Sequence, residues 1–325
     1  MTLQLLELVV GFAVLVGGAE MLVRGAITLS RRLGVSSLVV GLTVVALGTS
    51  FPELFVSVIA SARGEPAVAL GNVIGSNIFN IAVILGVGAI IRPVRVELRL
   101  LQLEIPFVLF ITVLFPLLAT DGAINRVDAA ILLVLFVSYM LYVRWTARRD
   151  SLSVESDVGD ASTEGGPRSP ATGSLWMAVV LVVAGLMTMA FAGRWLVDTA
   201  TDLARLWGVS ERVIGLTLIA GGTSLPELAS TLLAFLRRES DLAVGSLLGS
   251  NVFNSLAILG TAAMVNPLAP TRDFLRVDML VMLLTIVLLI PLARSRSRIG
   301  RWEGLGLFGI YVGYMLLILL GPTRF

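Results

Sequence analysis

The sequence predicts an all-α polytopic membrane protein, with ten transmembrane helices arranged as two inverted five-helix repeats. Three observations carry that expectation: the composition, the spacing of the apolar runs, and a motif that occurs twice. Of the 325 residues, 57% are hydrophobic and 14% charged, and the mean hydropathy is +0.95. Soluble domains carry about 25% charged residues. The apolar runs approach or exceed the ~20 residues that cross a bilayer as helix.

The runs come in order. Spans one to five cover residues 5–27, 36–62, 68–91, 103–119 and 127–143. The stretch ARRDSLSVESDVGDASTEGGPRSPATGS follows, polar and rich in Gly, Ser and Pro, and reads as a flexible linker over 147–174 because it offers nothing for a packed core. Spans six to ten cover 175–200, 213–236, 242–264, 277–292 and 305–320. The first repeat is thus 1–146 and the second 175–325. The opening MTLQLLELVV lacks the basic region of a secretory signal and carries Glu7, so it reads as the start of span one.

A shift of 174 residues lays the second half on the first without a gap, and 14 of the 21 positions from 34 to 54 are then identical. GTSFPEL (Gly48 to Leu54) falls on GTSLPEL (Gly222 to Leu228), and GSNIFN (Gly75 to Asn80) on GSNVFN (Gly249 to Asn254). The duplicated stretches run over 41–82 and 215–256. Shared hydrophobicity does not produce such identity; an internal duplication does. Five spans per repeat is an odd number, so the second copy enters from the opposite side, as in many secondary transporters.

Every one of the 24 basic residues is arginine. With each assigned to its nearer face, 16 lie on the face of the linker and 8 on the other. The positive-inside rule then puts the linker in the cytoplasm and both termini outside, in the inner or plasma membrane. It also accounts for the high isoelectric point without nucleic acid.

There is no cysteine and no histidine. Thiolate and imidazole metal sites are excluded, as is the commonest general base, so no enzyme and no cofactor is expected. Oxygen ligands remain, and these select hard cations. Pro52 and Pro226 lack an N–H and loosen the helix bonding of Gly48 and Gly222, which exposes backbone carbonyls at membrane depth. Beside them stand Thr49 with Ser50, Thr223 with Ser224, and the carboxylates Glu53 and Glu227. Ser76 and Asn80 share one helix face, as do Ser250 and Asn254, while Asn77 and Asn251 point toward neighbouring helices. Burying a carboxylate at mid-membrane costs roughly 2.5–3.5 kcal/mol, so a chain that does it twice in matching surroundings is using both charges. The other acids read as structural: Glu20 pairs with Arg24 at i, i+4, and Glu104, Asp128, Asp198 and Asp202 lie near span ends.

With GTSFPEL, GNVIGSNIFN, GGTSLPEL and GSLLGSNVFN in view, both halves resemble the two alpha-repeats of the sodium/calcium exchanger family, within the cation/calcium antiporter superfamily. The resemblance covers the whole ten-span layout. It implies alternating-access exchange of sodium for calcium, with the ions and the lipid bilayer as partners and no oligomer required. It makes Glu53 and Glu227 shared ligands of both ions. Thr49, Ser50, Ser76, Thr223, Ser224 and Ser250 become hydroxyl or carbonyl ligands, and Ala46 and Ala220 carbonyl ligands beside the outer sodium positions. The first and sixth spans would slide as a pair. Asn80 matches an amide of prokaryotic relatives, whereas the partner position, Asp in some of them, is Asn254 here. An amide needs no proton to hold the site at a net charge of minus two, and the missing Asp argues against potassium coupling. A calcium/proton antiporter of the same superfamily and, further off, a cation channel are the competing expectations.

Overall fold

The computed structural model describes residues 2–96, 100–158, 174–209, 220–271, 274–296 and 298–320. Eleven helices organise the described residues: α1 (Thr2–Leu33), α2 (Ser37–Thr49), α3 (Phe51–Ala62), α4 (Pro66–Ile91), α5 (Leu100–Asp121), α6 (Arg126–Val158), α7 (Leu175–Leu206), α8 (Leu225–Leu236), α9 (Ser240–Val265), α10 (Phe274–Leu292) and α11 (Arg301–Leu320). Seven of them are long and apolar enough to cross a bilayer alone, and α2 with α3, bent by 46°, makes an eighth as a broken span. Large apolar side chains stand exposed along the outer helices, among them Leu117, Val134, Leu141, Met187, Phe191 and Leu280. A surface of that kind needs lipid rather than water around it.

The interior is built on α9 and α4. Every residue from Leu242 to Gly260 is buried, so α9 is enclosed on all sides. Such packing requires small residues where backbones meet. A Cβ on Gly41 would stand 2.6 Å from the Leu242 carbonyl oxygen, and one on Gly245 would stand 2.7 Å from that of Leu38. The α2 and α9 backbones therefore touch, the small-residue contact familiar from membrane helices. α1 and α7 form a second close pair, with a Cβ on Gly185 falling 2.6 Å from the Leu22 amide nitrogen.

Two short backbone pairings clip the connections together. Strand β1 (Val94–Arg95) runs antiparallel to β2 (Arg298–Ile299), with Val94 opposite Ile299. Elsewhere Ile124 and Leu268 exchange both backbone hydrogen bonds, at 2.8 and 3.1 Å.

One difference from the sequence reading concerns a boundary. Helix α6 continues to Val158, past residue 147 where the linker was expected to begin. Arg148 to Val158 contains neither Gly nor Pro, and nothing stops the helix before Gly159. The rest of the expected linker, 159–173, lies outside the described residues, as does 210–219, most of the first half of span seven.

The acids read as structural have structural partners. Glu20 accepts from Arg24 as expected, and also from Arg237 at the end of α8. Asp198 pairs with Arg194, and Asp202 with Arg205. Asp128 accepts from the Asn125 backbone amide. Glu104 is buried and accepts from the Tyr139 hydroxyl at 2.7 Å, and Tyr314 donates in the same way to Asp278.

Candidate functional site

The two prolines do more than loosen a turn. α2 ends at Thr49, and α3 starts at Phe51 with Pro52 in its first turn, where a missing N–H costs nothing. α8 starts in the same way, with Pro226 in its first turn after Ser224. Each glutamate thereby sits in the first turn of a new helix, where the dipole favours negative charge. Both are almost fully buried, Glu53 at 1% exposure and Glu227 at 2%.

Hydroxyls cross between the halves to reach them. Ser50 Oγ donates to Glu227 Oε1 at 2.8 Å, and Ser224 Oγ donates to Glu53 Oε1 at 2.9 Å. Ser50 also lies 3.1 Å from Ser250 Oγ, and Ser224 lies 3.2 Å from Ser76 Oγ. Thr49 stands beside Glu227 and Thr223 beside Glu53, and the two carboxylates feel each other's charge. Each half thus supplies the donors for the other half's acid.

The amides form a second layer. α4 and α9 widen into looser turns over Phe79–Leu85 and Phe253–Ile258, a local geometry that recurs at functional sites. Asn80 and Asn254 lie in those stretches. Asn80 Nδ2 donates to Asn251 Oδ1 at 3.0 Å, and Asn254 Nδ2 donates to Asn77 Oδ1 at 3.1 Å. Asn77 in turn donates to Ser255 Oγ at 2.7 Å. Asn77 and Asn251 hydrogen-bond a neighbouring helix, as the sequence leads one to expect, and from there they orient Asn254 and Asn80.

Four acceptor oxygens are left over. Glu53 Oε2, Glu227 Oε2, Asn80 Oδ1 and Asn254 Oδ1 are buried and accept no hydrogen bond. Orphaned buried oxygens are costly, and here they belong to two pairs of residues related by the 174-residue shift. Two of the four are carboxylate oxygens, so the missing partner is positively charged. Among the described residues no three acids gather, so the charge available is that of the two glutamates. A cavity of about 430 Å³, lined in part by Gly75, Ser76, Thr223 and Ser224, adjoins the serine pair on the Glu53 side.

Ala46 and Ala220 stand apart from this. The Ala46 carbonyl accepts from the Ser50 amide at 3.2 Å and from Thr49 Oγ1 at 3.4 Å, within its own helix. Ala220 opens a helical turn, Ala220–Gly222, just ahead of Thr223. One residue that motif reading passed over belongs to the site: Asn72 on α4, whose Oδ1 accepts from Thr223 Oγ1 at 3.4 Å. It lies one turn before Ser76, but its counterpart is Ser246, so it drops out of the repeated pattern.

The model of the sodium/calcium exchanger protein family matches residues 3–145 and 177–320. The chain belongs to the sodium/calcium exchanger family. It is 35% identical to the inner membrane protein YrbG of Escherichia coli, over 96% of this chain and 95% of that one. It is 30% identical to the sodium/calcium exchanger MaX1 of Methanosarcina acetivorans, over 98% and 99% of the two chains. The solved structure of the sodium-calcium exchanger NCX_Mj soaked with 2.5 mM Na+ and 0.1 mM Ca2+ superposes with a TM-score of 0.80, at 30% identity and 99% coverage of both chains. This member of the family is accordingly a cation/calcium antiporter and an integral membrane protein, a transporter rather than an enzyme.

The serines give a first measurable expectation. Ser50→Ala leaves Glu227 without its serine donor, and Ser224→Ala does the same to Glu53. The lost bond is charge-assisted, worth ~1.5–3 kcal/mol, so radioactive-calcium binding to the purified variants should weaken by roughly 10- to 150-fold.

Proposed function

We propose that the protein exchanges sodium for calcium across the cell membrane by alternating access, with ten spans in two inverted repeats, the linker cytoplasmic and both termini outside. The observation that carries this is the set of four orphaned oxygens on Glu53, Glu227, Asn80 and Asn254, buried between the halves. With the hydroxyls of Thr49, Ser50, Ser76, Thr223, Ser224 and Ser250 they offer enough oxygen for calcium's ~6–8 ligands. The carbonyls of Ala46 and Ala220 are added for sodium. Reciprocity supports the inverted arrangement: Val94 pairs with Ile299, the shift carries these to Leu268 and Asn125, and Leu268 pairs one residue away, with Ile124.

Two ionised glutamates fix the charge balance. One calcium neutralises the site, and three sodium ions leave it at plus one, so a three-for-one cycle moves one net charge. That movement is worth about 2.3 kcal/mol per 100 mV. Buried carboxylates with free oxygens also suit protons, so calcium/proton exchange is the reading to set against this one.

Inside-out vesicles decide between them. An imposed sodium gradient is expected to drive calcium uptake, and a potential clamped by potassium and valinomycin to change its rate. Uptake driven by a proton gradient and indifferent to sodium would overturn the coupling.

A further inference from the structure

The two halves of the site differ most plainly at Asn72, whose place Ser246 takes in the second half. Asn72 Nδ2 donates to the Glu53 backbone carbonyl at 3.0 Å and to Ser57 Oγ at 2.8 Å, while its Oδ1 accepts from Thr223. One amide therefore ties α4 to the first turns of α3 and to the turn that precedes α8. The shift of 174 carries Asn72 to Ser246, Ser57 to Thr231, Glu53 to Glu227 and Thr223 to Thr49. None of the three bonds has a counterpart there among the described residues. Ser246 Oγ and Thr231 Oγ1 are buried, at 2% and 1% exposure, and neither has a hydrogen-bond partner. Thr49 Oγ1 turns back to its own helix instead, onto the Val45 carbonyl at 3.0 Å. Serine is shorter than asparagine and has a single donor, so it cannot make the two donated bonds and the accepted one that Asn72 makes.

We infer that Asn72 is a positioning residue for Glu53, and that the Glu227 half of the site works without such a brace. The amide fixes the backbone of the turn that carries Glu53 and so aims its carboxylate. The Glu227 carbonyl accepts from Ser230 of its own helix at 3.2 Å and from no side chain of α9 among the described residues, so Glu227 is the carboxylate that adjusts to the cargo. The inference rests on the transport reading above, and it makes two sequence-equivalent glutamates unequal in use. A pre-aimed ligand sets affinity, since its ordering is complete before the ion arrives.

Purified protein in proteoliposomes tests this, with calcium KM, turnover and thermal stability measured for each variant. Asn72→Ser is expected to raise the calcium KM about tenfold while kcat stays within about twofold, the loss of roughly one to two hydrogen bonds. Ser57→Ala, a milder change that keeps the amide, is expected to raise KM about threefold, in the range of a single neutral hydrogen bond. Thr231→Val, the near-isosteric change at the counterpart, is expected to leave KM unaltered. An unchanged KM in both Asn72→Ser and Ser57→Ala would make the amide purely structural and overturn the inference. A KM rise in Thr231→Val as large as that in Ser57→Ala would overturn it too, by showing equivalent halves. Wild type and Glu53→Gln run alongside. Absent sodium-driven flux in the wild type counts against the exchange reading alone, because radioactive-calcium binding to the same variants still reads the brace.

Discussion

Glu53→Gln and Glu227→Gln should each yield a folded, membrane-inserted protein that transports no measurable calcium. Glutamine keeps the size of the side chain and an oxygen that can accept the serine bond, from Ser224 for Glu53 and from Ser50 for Glu227. What it removes is charge. A divalent ion in a site with one carboxylate is left with an uncompensated charge in a low-dielectric interior, and no other acid among the described residues joins the cluster. The expected drop in calcium flux is at least about a hundredfold, ~2.7 kcal/mol. Stability should move the other way. Without ions a buried carboxylate carries a desolvation cost that a neutral amide of the same size does not. Each variant should therefore unfold no earlier than the wild type in ion-free buffer, and should lose the wild type's stabilisation by added calcium, about 2.7 kcal/mol at a hundred times Kd. Calcium flux in vesicles and unfolding with and without calcium measure both. Robust transport by either variant would remove the glutamates from the site.

The parts of this site that could be read from sequence are those that identity between halves can show. Glu53 and Glu227, and the serines Ser50, Ser76, Ser224 and Ser250, stand out because a 174-residue shift superposes them. Which residue serves which could not be read, because hydrogen bonds between the halves join positions that no local pattern relates. Ser50 serves Glu227 and not Glu53, its neighbour in sequence. Which residues Asn77 and Asn251 orient was hidden likewise, since those lie on the opposite central helix. Asn72 was hidden by its own function: a brace present in one half leaves no repeated signature. One boundary failed for a simpler reason. Polarity ends a span at the membrane surface but does not by itself end a helix, and with no Gly or Pro from Arg148 to Val158 α6 runs on to Val158. Tyr139–Glu104 and Tyr314–Asp278 show the same limit, for an acid near a span end looks solvated until its tyrosine is seen.

Gly249→Ala should be nearly as damaging to transport as loss of a glutamate, by a different route. A Cβ at residue 249 would lie 2.5 Å from the Leu42 carbonyl oxygen and 2.8 Å from the Ala46 Cβ. Both obstacles belong to α2, one of them backbone, so no rotamer change relieves the overlap and the helices must separate. The next residue, Ser250, is the one whose hydroxyl meets Ser50 at 3.1 Å, and Ser50 in turn holds Glu227 at 2.8 Å. A shift of α9 against α2 therefore misplaces the serine pair and the carboxylate together, and a misplacement of about 1 Å can cost a hundredfold. The expected result is at least about a hundredfold loss of calcium flux with destabilisation of roughly 1–3 kcal/mol. Gly17→Ala is the control, since a Cβ there meets nothing within 4 Å and alanine favours the helix by up to ~1 kcal/mol. Flux and thermal unfolding should stay at wild-type levels or rise in Gly17→Ala, and both should fall in Gly249→Ala. Normal transport by Gly249→Ala would mean that α2 and α9 can part without disturbing Ser50, and that the contact between them does not set the geometry around Glu227.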